Sequence, residues 1–193
     1  MTAALRGTVR EYKVVVLGEM GVGRTAFLLR YVQGEFVGDT DPHLEDAYRK
    51  QIEVEKGHTV LLDALDVNGV LDSLQQSWIR SGEGFLLLYD VTSRPSFERM
   101  QEWFDWIRRV KDSQWIPLIL VGHKADLIDS IVVPEEEGRS LADAWGVPFF
   151  LASAKSNLNV DDVFLTLFPL IRDRPSDRKG FPPPPPKKKC LLM

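Results

Sequence analysis

Apolar residues fall into two kinds of stretch along this chain. Short uninterrupted apolar runs are typical of strands buried on both faces, and they predict strands at 14–17, 85–89, 117–121 and 147–151. Apolar residues at helical spacing predict helices at 25–32, 96–111, 134–145 and 161–172. Two further strand-like runs, 48–54 and 60–65, flank a hairpin signal at 55–57, whereas 67–84 is predicted to be irregular. This alternation predicts an α/β fold, with a mainly parallel sheet covered by helices on both faces.

Polar or glycine-rich segments follow several of these predicted strands. In a parallel sheet, ligands bind beyond the carboxyl ends of the strands. Four segments occupy such positions: 18–25, Asp66, 123–126 and 153–155. The sequence therefore predicts that they converge on one crevice.

The first of these segments is a glycine-rich turn between a strand and a helix. Backbone N–H groups in such a turn, together with the positive end of the helix dipole, can hold a phosphate. The pattern G-x-x-x-x-G-K-[ST] is matched by Gly18, Gly23 and Thr25, but Arg24 stands at the lysine position. Taken alone, the turn fits equally a tight connection that needs glycines.

Composition and charge narrow the class of protein. With 193 residues, 44% of them hydrophobic, the chain is expected to form one domain with a short tail. Its net charge of −4 argues against a nucleic-acid partner. No apolar run approaches the ~20 residues that span a bilayer, and no signal peptide is apparent, so we expect residence on the cytosolic side. The single cysteine, Cys190, excludes an intramolecular disulfide.

Residues 13–172 resemble a Ras-family small GTPase. The resemblance rests on the turn at 18–25, on the strand-end segments, and on short segments closest to Ras itself at 41–42, 45–46, 48–50, 82–84 and 153–155. It implies the P-loop NTPase fold of small G proteins, with six strands and one antiparallel edge strand. It also implies an N-terminal extension at 1–12, a nucleotide-binding domain at 13–173 and a flexible tail at 174–193.

The resemblance implies GTP or GDP and Mg²⁺ as cofactors. Thr25 would bind the ion directly and Asp66 through water. Asp126 would accept two hydrogen bonds from guanine, which adenine does not offer, and the Ala154 N–H would donate to the guanine carbonyl. Phe36 would stack on the base, although it also fits an ordinary core aromatic, and Asp126 also fits a helix cap. The implied nucleotide-binding residues are Gly21, Val22, Gly23, Arg24, Thr25, Ala26, Phe36, His123, Lys124, Asp126, Ser153, Ala154 and Lys155.

Two departures from the family pattern concern hydrolysis. Val70, after the γ-phosphate residue Gly69, stands where the family has the glutamine that orients the attacking water, and valine has no hydrogen-bonding group. Met20 stands where Ras has a glycine, and its side chain would crowd both the water and an arginine finger from a partner. No catalytic residue is therefore intact, and we expect slow GTP hydrolysis and a poor response to an activating protein.

Four further departures concern nucleotide and metal binding. His43 occupies the position of the threonine that closes onto Mg²⁺, which makes metal-driven ordering of its loop doubtful. Arg24 is a planar fork where a compact charge is usual. His123 replaces an asparagine that braces neighbouring loops, so guanine affinity is expected to fall. Asn68 places a polar side chain near the γ-phosphate.

The resemblance also implies protein partners. Effectors would bind the 41–48 loop through Asp41, Glu45, Asp46 and Tyr48, and an exchange factor would act on the same protein. Trp103 and Trp106 flank the apolar face of the predicted 96–111 helix, so we expect one of them to be an exposed partner contact.

The tail carries a targeting pattern. Residues 182–186 are consecutive prolines, which fit a stiff spacer or, over 182–187, an SH3 ligand. Three lysines at 187–189 precede Cys190-Leu-Leu-Met193, a C-a-a-X sequence whose final methionine favours farnesyl. One lipid and three lysines predict attachment to an anionic leaflet, on the cytoplasmic face of the plasma membrane or an endomembrane.

Two functions fit these observations. The first is a membrane-anchored guanine-nucleotide switch with weak hydrolysis, favoured by the intact Gly23, Thr25, Asp66, Gly69, Asp126 and Ala154. The second is a non-catalytic interaction protein that binds nucleotide weakly or not at all. It is favoured by the irregular positions Met20, Arg24, His43, Val70 and His123.

Overall fold

A six-stranded sheet forms the centre of the molecule. The computed structural model describes residues 10–38, 46–55, 58–67, 73–113 and 115–173. The strands within them are β1 (Arg10–Leu17), β2 (Ala47–Glu55), β3 (His58–Asp66), β4 (Gly84–Asp90), β5 (Leu118–His123) and β6 (Phe149–Leu151). Their order in the sheet is β2-β3-β1-β4-β5-β6, with β2 antiparallel to β3 and every other neighbouring pair parallel. The predicted mainly parallel sheet with one antiparallel edge strand is confirmed.

The central strands are those with uninterrupted apolar sequence. Every residue of β4 and of β5 is buried, as are the last four residues of β1. A strand between two helical layers needs apolar side chains on both faces, because each face packs against helices. The amphipathic hairpin of β2 and β3 is correspondingly placed at one side of the sheet, with β2 at the edge.

Helices cover both faces of this sheet. They are α1 (Arg24–Gln33), α2 (Ser73–Ser81), α3 (Arg94–Glu98), α4 (Met100–Lys111), α5 (Glu135–Trp145) and α6 (Val160–Arg172). One core cluster joins α1 and α6 to Val14 and Val16 of β1, and the other joins α2, α4 and α5 to Val15 and Leu17. The alternation of β1 side chains therefore divides the core into two layers. No helix in the described ranges has the length and hydropathy needed to cross a membrane.

Two predictions about secondary structure are wrong. The stretch 67–84 contains helix α2, which buries Ile79 completely, so tertiary packing supports a helix that the local sequence does not signal. The predicted 96–111 helix is two helices, α3 and α4, which divide at Arg99. In addition, β1 begins at Arg10 and pairs with Val60, so three residues assigned to the N-terminal extension belong to the sheet. The predicted domain limits otherwise stay a prediction.

The expectation of an exposed tryptophan on α4 is also wrong. Trp103 is 1% exposed and Trp106 is 7% exposed, and their rings contact each other edge to face in the core. The apolar face of α4 is wider than the sequence spacing indicated. Neither tryptophan is available as a partner contact.

Candidate functional site

The glycine-rich turn joins the end of β1 to the start of α1. Gly21 and Gly23 have φ angles of +81° and +91°, which favour glycine. A Cβ atom on Gly23 would also lie 2.8 Å from the ring of His123, so this position has no room for a side chain. The turn therefore brings its backbone against the end of β5, and α1 starts directly after it, as an anion-binding loop requires.

Arg24 is buried beneath this turn and paired with Asp66 at the end of β3. Its Nε donates to Asp66 Oδ1 at 2.7 Å, and its Nη1 donates to the carbonyls of Gly18 at 2.6 Å and Glu19 at 2.7 Å. The Thr25 hydroxyl donates to the other carboxylate oxygen, Asp66 Oδ2, at 2.5 Å. Arg24 is 4% exposed and Asp66 is 0% exposed. The side chain at the lysine position thus acts as a fork that spans a carboxylate and two carbonyls.

The two predicted magnesium ligands, Thr25 and Asp66, are adjacent. Hydroxyl and carboxylate oxygens suit Mg²⁺, and the hydroxyl of Thr25 keeps lone pairs for a metal. However, the positively charged guanidinium of Arg24 already forms an ion pair with the Asp66 carboxylate, where a metal ion would bind. As arranged, these residues do not fit a magnesium ion.

Removal of the Asp66 carboxylate is expected to destabilise the fold strongly. The Asp66→Ala variant removes the carboxylate that pairs with the buried Arg24 charge, and such losses cost about 3–5 kcal/mol of unfolding free energy. The measurement is urea unfolding. Asp63→Ala is the matched control, because Asp63 pairs with Arg49, which is 67% exposed, and an exposed pair contributes about 0–1 kcal/mol. Equal losses in the two variants would contradict this account.

His123, the last residue of β5, connects the turn to the loop after β6. Its Nδ1 lies 2.7 Å from the Val22 carbonyl oxygen, and its Nε2 accepts the Ala154 N–H at 3.1 Å. Because Ala154 can only donate, Nε2 carries the lone pair and Nδ1 carries the proton given to Val22. The histidine therefore braces both loops. The Ala154 N–H, which the resemblance assigns to the guanine carbonyl, is therefore already hydrogen-bonded to His123.

This histidine predicts a pH-dependent stability. Burial lowers the pKa of His123 below its usual range. The unfolded chain takes up a proton below pH about 6.5, whereas the folded chain resists it, so stability is full above that pH and is lost as pH falls. We expect the unfolding free energy to decrease by up to about 1.4 kcal/mol per pH unit from this group. The measurement is urea unfolding from neutral to mildly acid pH. In the His123→Asn variant the unfolding free energy should fall less steeply as pH decreases. The same pH dependence of the unfolding free energy in both proteins would refute this role of His123.

Lys124 and Asp126 follow on the loop after β5. Lys124 donates from Nζ to the Gly21 carbonyl at 2.7 Å and pairs with Asp90, at the end of β4, at 2.7 Å. Asp126 is half-buried, and its Oδ1 accepts the Ser153 hydroxyl at 2.6 Å. Three strand ends are therefore tied to the turn or to one another at this rim.

These segments enclose one cavity of about 360 Å³. Phe36, which is half exposed, lies on its rim, so the alternative of a core aromatic is wrong. The lining brings together most of the predicted nucleotide-binding residues: Gly21, Gly23, Arg24, Thr25, Ala26, Phe36, His123, Lys124, Asp126 and Lys155. Gly38 and Leu127, which were not predicted, also line it. Asp66, Ser153 and Ala154 are buried behind this lining.

Sequence reasoning missed two residues that support the site. Asp90 holds Lys124, and its place at the end of an apolar strand was an available signal. Arg30 on α1 donates to the carbonyls of Ala154 at 2.6 Å and Lys155 at 3.1 Å. Nothing in the local sequence of α1 indicates this second contact, because its partners lie more than 120 residues away.

Several predicted residues lie outside the described ranges. They are Asp41, His43 and Glu45, then Asn68, Gly69 and Val70, and the tail with Cys190. Two residues of the predicted effector surface are described. Asp46 is exposed and directly precedes β2, the edge strand of the sheet, and Tyr48 is half-buried and lies within β2.

The fold and this arrangement of strand ends define a protein of the P-loop NTPase fold class. Comparison with known proteins narrows that class. The Ras family model matches residues 13–173. The chain is 43% identical over 170 residues to Ras-like protein 1 of Saccharomyces cerevisiae, covering 87% of this chain and 55% of that protein. It is 44% identical over 165 residues to Ras-like protein rasB of Dictyostelium discoideum, covering 84% of this chain and 82% of that protein. The chain therefore belongs to the Ras family, whose members are small GTPases.

Proposed function

We propose that this chain is a guanine-nucleotide-binding signalling protein of Ras type that hydrolyses GTP slowly. The observation that supports it most is the convergence of the turn, Lys124 and Asp126, and Lys155 on one cavity. Such a cavity has a backbone cradle for phosphates at one end and a carboxylate for the base at the other. Its ligand is a guanosine phosphate, because Asp126 accepts from two guanine donors that adenine lacks.

Slow hydrolysis follows from the residues at two positions. Val70 provides no group to orient water, and Met20, on the turn itself, is 55% exposed. A side chain that projects from the turn fills space that water or a partner's arginine would need. In this proposal the protein stays bound to GTP for longer than a family member that carries the glutamine.

Membrane attachment and partners are part of the same proposal. Cys190 carries a prenyl group, and the lysines at 187–189 add attraction to an anionic leaflet. Attachment places the protein on the cytoplasmic face of a membrane. Effectors bind the 41–48 loop, an exchange factor acts on the nucleotide site, and the prolines at 182–187 serve as a spacer or bind an SH3 domain.

A second function is favoured by the engaged donors of the site. Arg24 is committed to Asp66 and the Ala154 N–H to His123. A protein that keeps these contacts would bind nucleotide weakly and act through its surface alone, as a non-catalytic interaction protein.

Fluorescence titration separates these functions. Labelled GDP and labelled ADP are added to the chain after nucleotide is removed. The proposal predicts saturable GDP binding with at least about 100-fold preference over ADP, from the difference in base hydrogen bonds. Absence of GDP binding would favour the interaction protein, and equal binding of the two nucleotides would contradict the role of Asp126.

A further inference from the structure

The Arg24 side chain makes a buried contact with several acceptors at the position of the usual phosphate-binding lysine. Its Nε lies 2.7 Å from Asp66 Oδ1, and their side chains are 4% and 1% exposed. The same guanidinium holds the carbonyls of Gly18 and Glu19 through Nη1. An ammonium is a point charge on a flexible stem, whereas the guanidinium is a rigid fork that reaches separate acceptors at fixed angles.

The Asp66 carboxylate pairs with Arg24, and both its oxygens have donors. Oδ1 accepts from Arg24 and Oδ2 accepts from Thr25. A divalent cation at this carboxylate would either displace the guanidinium or sit beside it. Displacement breaks a buried ion pair, and coexistence places like charges a few ångströms apart with little water to screen them.

We propose that the Arg24 guanidinium is the resident cation at Asp66, and that this chain holds guanine nucleotide without a tightly bound magnesium ion. The inference rests on the proposed nucleotide-binding function. The phosphates are held instead by the backbone of the turn and the N-terminus of α1, which need no metal. Asp66 acts here as a positioning residue that fixes Arg24 under the turn.

The test is the rate at which labelled GDP dissociates in Mg²⁺ and in EDTA. The chain is loaded with the labelled nucleotide and chased with excess unlabelled GDP in each buffer. For the wild-type chain we expect the two rates to agree within about threefold, because no tightly held divalent charge is removed. Acceleration by EDTA of tenfold or more would overturn the inference.

For the Arg24→Lys variant we expect the opposite result, a GDP dissociation rate that depends on Mg²⁺. A lysine restores the regular G-x-x-x-x-G-K-[ST] pattern and frees the Asp66 carboxylate from the fork. EDTA should then accelerate GDP release by about tenfold or more, since a divalent cation can occupy the carboxylate. The matched control is Arg49→Lys, which changes an exposed Arg–Asp pair with a 3.0 Å contact and should behave as wild type. An Arg24→Lys variant that stays insensitive to EDTA would overturn the role of Arg24.

A second measurement does not depend on the variant being folded. Mn²⁺ is titrated into the wild-type chain loaded with GDP, and free Mn²⁺ is followed by electron paramagnetic resonance. We expect no stoichiometric loss of the free signal, and its stoichiometric loss would overturn the inference. If the chain binds no GDP in either buffer, the proposed function is refuted and the inference with it. GDP binding that is lost in EDTA refutes the inference alone.

Discussion

Replacement of Asp126 by asparagine is expected to lower GDP affinity by about 10²–10⁴-fold. In the proposed function the carboxylate accepts two charge-assisted hydrogen bonds from guanine, each contributing about 1.5–3 kcal/mol. Asp126 is oriented for this task, because Ser153, itself fully buried, donates to its Oδ1 at 2.6 Å. Xanthine has a carbonyl where guanine has its amino group, so the asparagine amide should gain affinity for xanthosine diphosphate.

The measurement is competitive titration with GDP and xanthosine diphosphate. Asp129→Asn is the matched control, because this aspartate lies three residues further on and is exposed in the short 3₁₀ helix Ile128–Ser130. It should leave both affinities unchanged. A variant at Asp126 that weakens both nucleotides equally would mean that the side chain supports the loop and does not contact the base.

Restoring the family residues at two positions is expected to raise GTP hydrolysis by about 10²–10³-fold, the value of one pre-organised transition-state contact. The double variant Val70→Gln with Met20→Gly supplies a group that orients water and removes the exposed methionine from the turn. Single-turnover release of phosphate from GTP is the measurement. Each single variant should give a smaller gain in the hydrolysis rate. The glutamine can orient water only where the Met20 side chain has been removed, and removing that side chain alone supplies no group to orient the water.

Val132→Gln is the control for this experiment. It makes the same chemical change at an exposed position after the 3₁₀ helix, away from the turn. It should hydrolyse GTP at the wild-type rate. If the wild-type chain already hydrolyses GTP as fast as the double variant, then Val70 and Met20 do not limit the reaction.

The sheet was predictable because burial on both faces leaves a clear mark in sequence. β4 and β5 read as continuous apolar runs, and both are fully buried central strands. Helix α2 was not predictable in the same way. Its sequence, SLQQSWIRS, has no acidic residue in its first turn, and its burial depends on Ile79 meeting the rest of the core. The stabilising contacts of such a helix are tertiary, so no local pattern reports them.

The site, too, was predictable in one respect and not in another. Its position followed from the chain alone, because polar segments after parallel strands must share one edge of the sheet. The partners of its side chains did not. Arg24 meets Asp66 across 42 positions, and His123 meets Val22 across 101. The sequence identified Arg24 and His123 as departures from the family pattern. Only the distances to their partners revealed that Arg24 forms an ion pair and that His123 braces two loops.

The central claim is that strand ends from distant parts of the chain together hold a guanosine phosphate. It is tested most directly by denaturing protein that has been purified without added nucleotide and identifying what is released. We predict a stoichiometric guanine nucleotide, with GTP the larger part because hydrolysis is slow. Protein that releases nothing and takes up neither GDP nor GTP, or that releases adenine nucleotide, would contradict it.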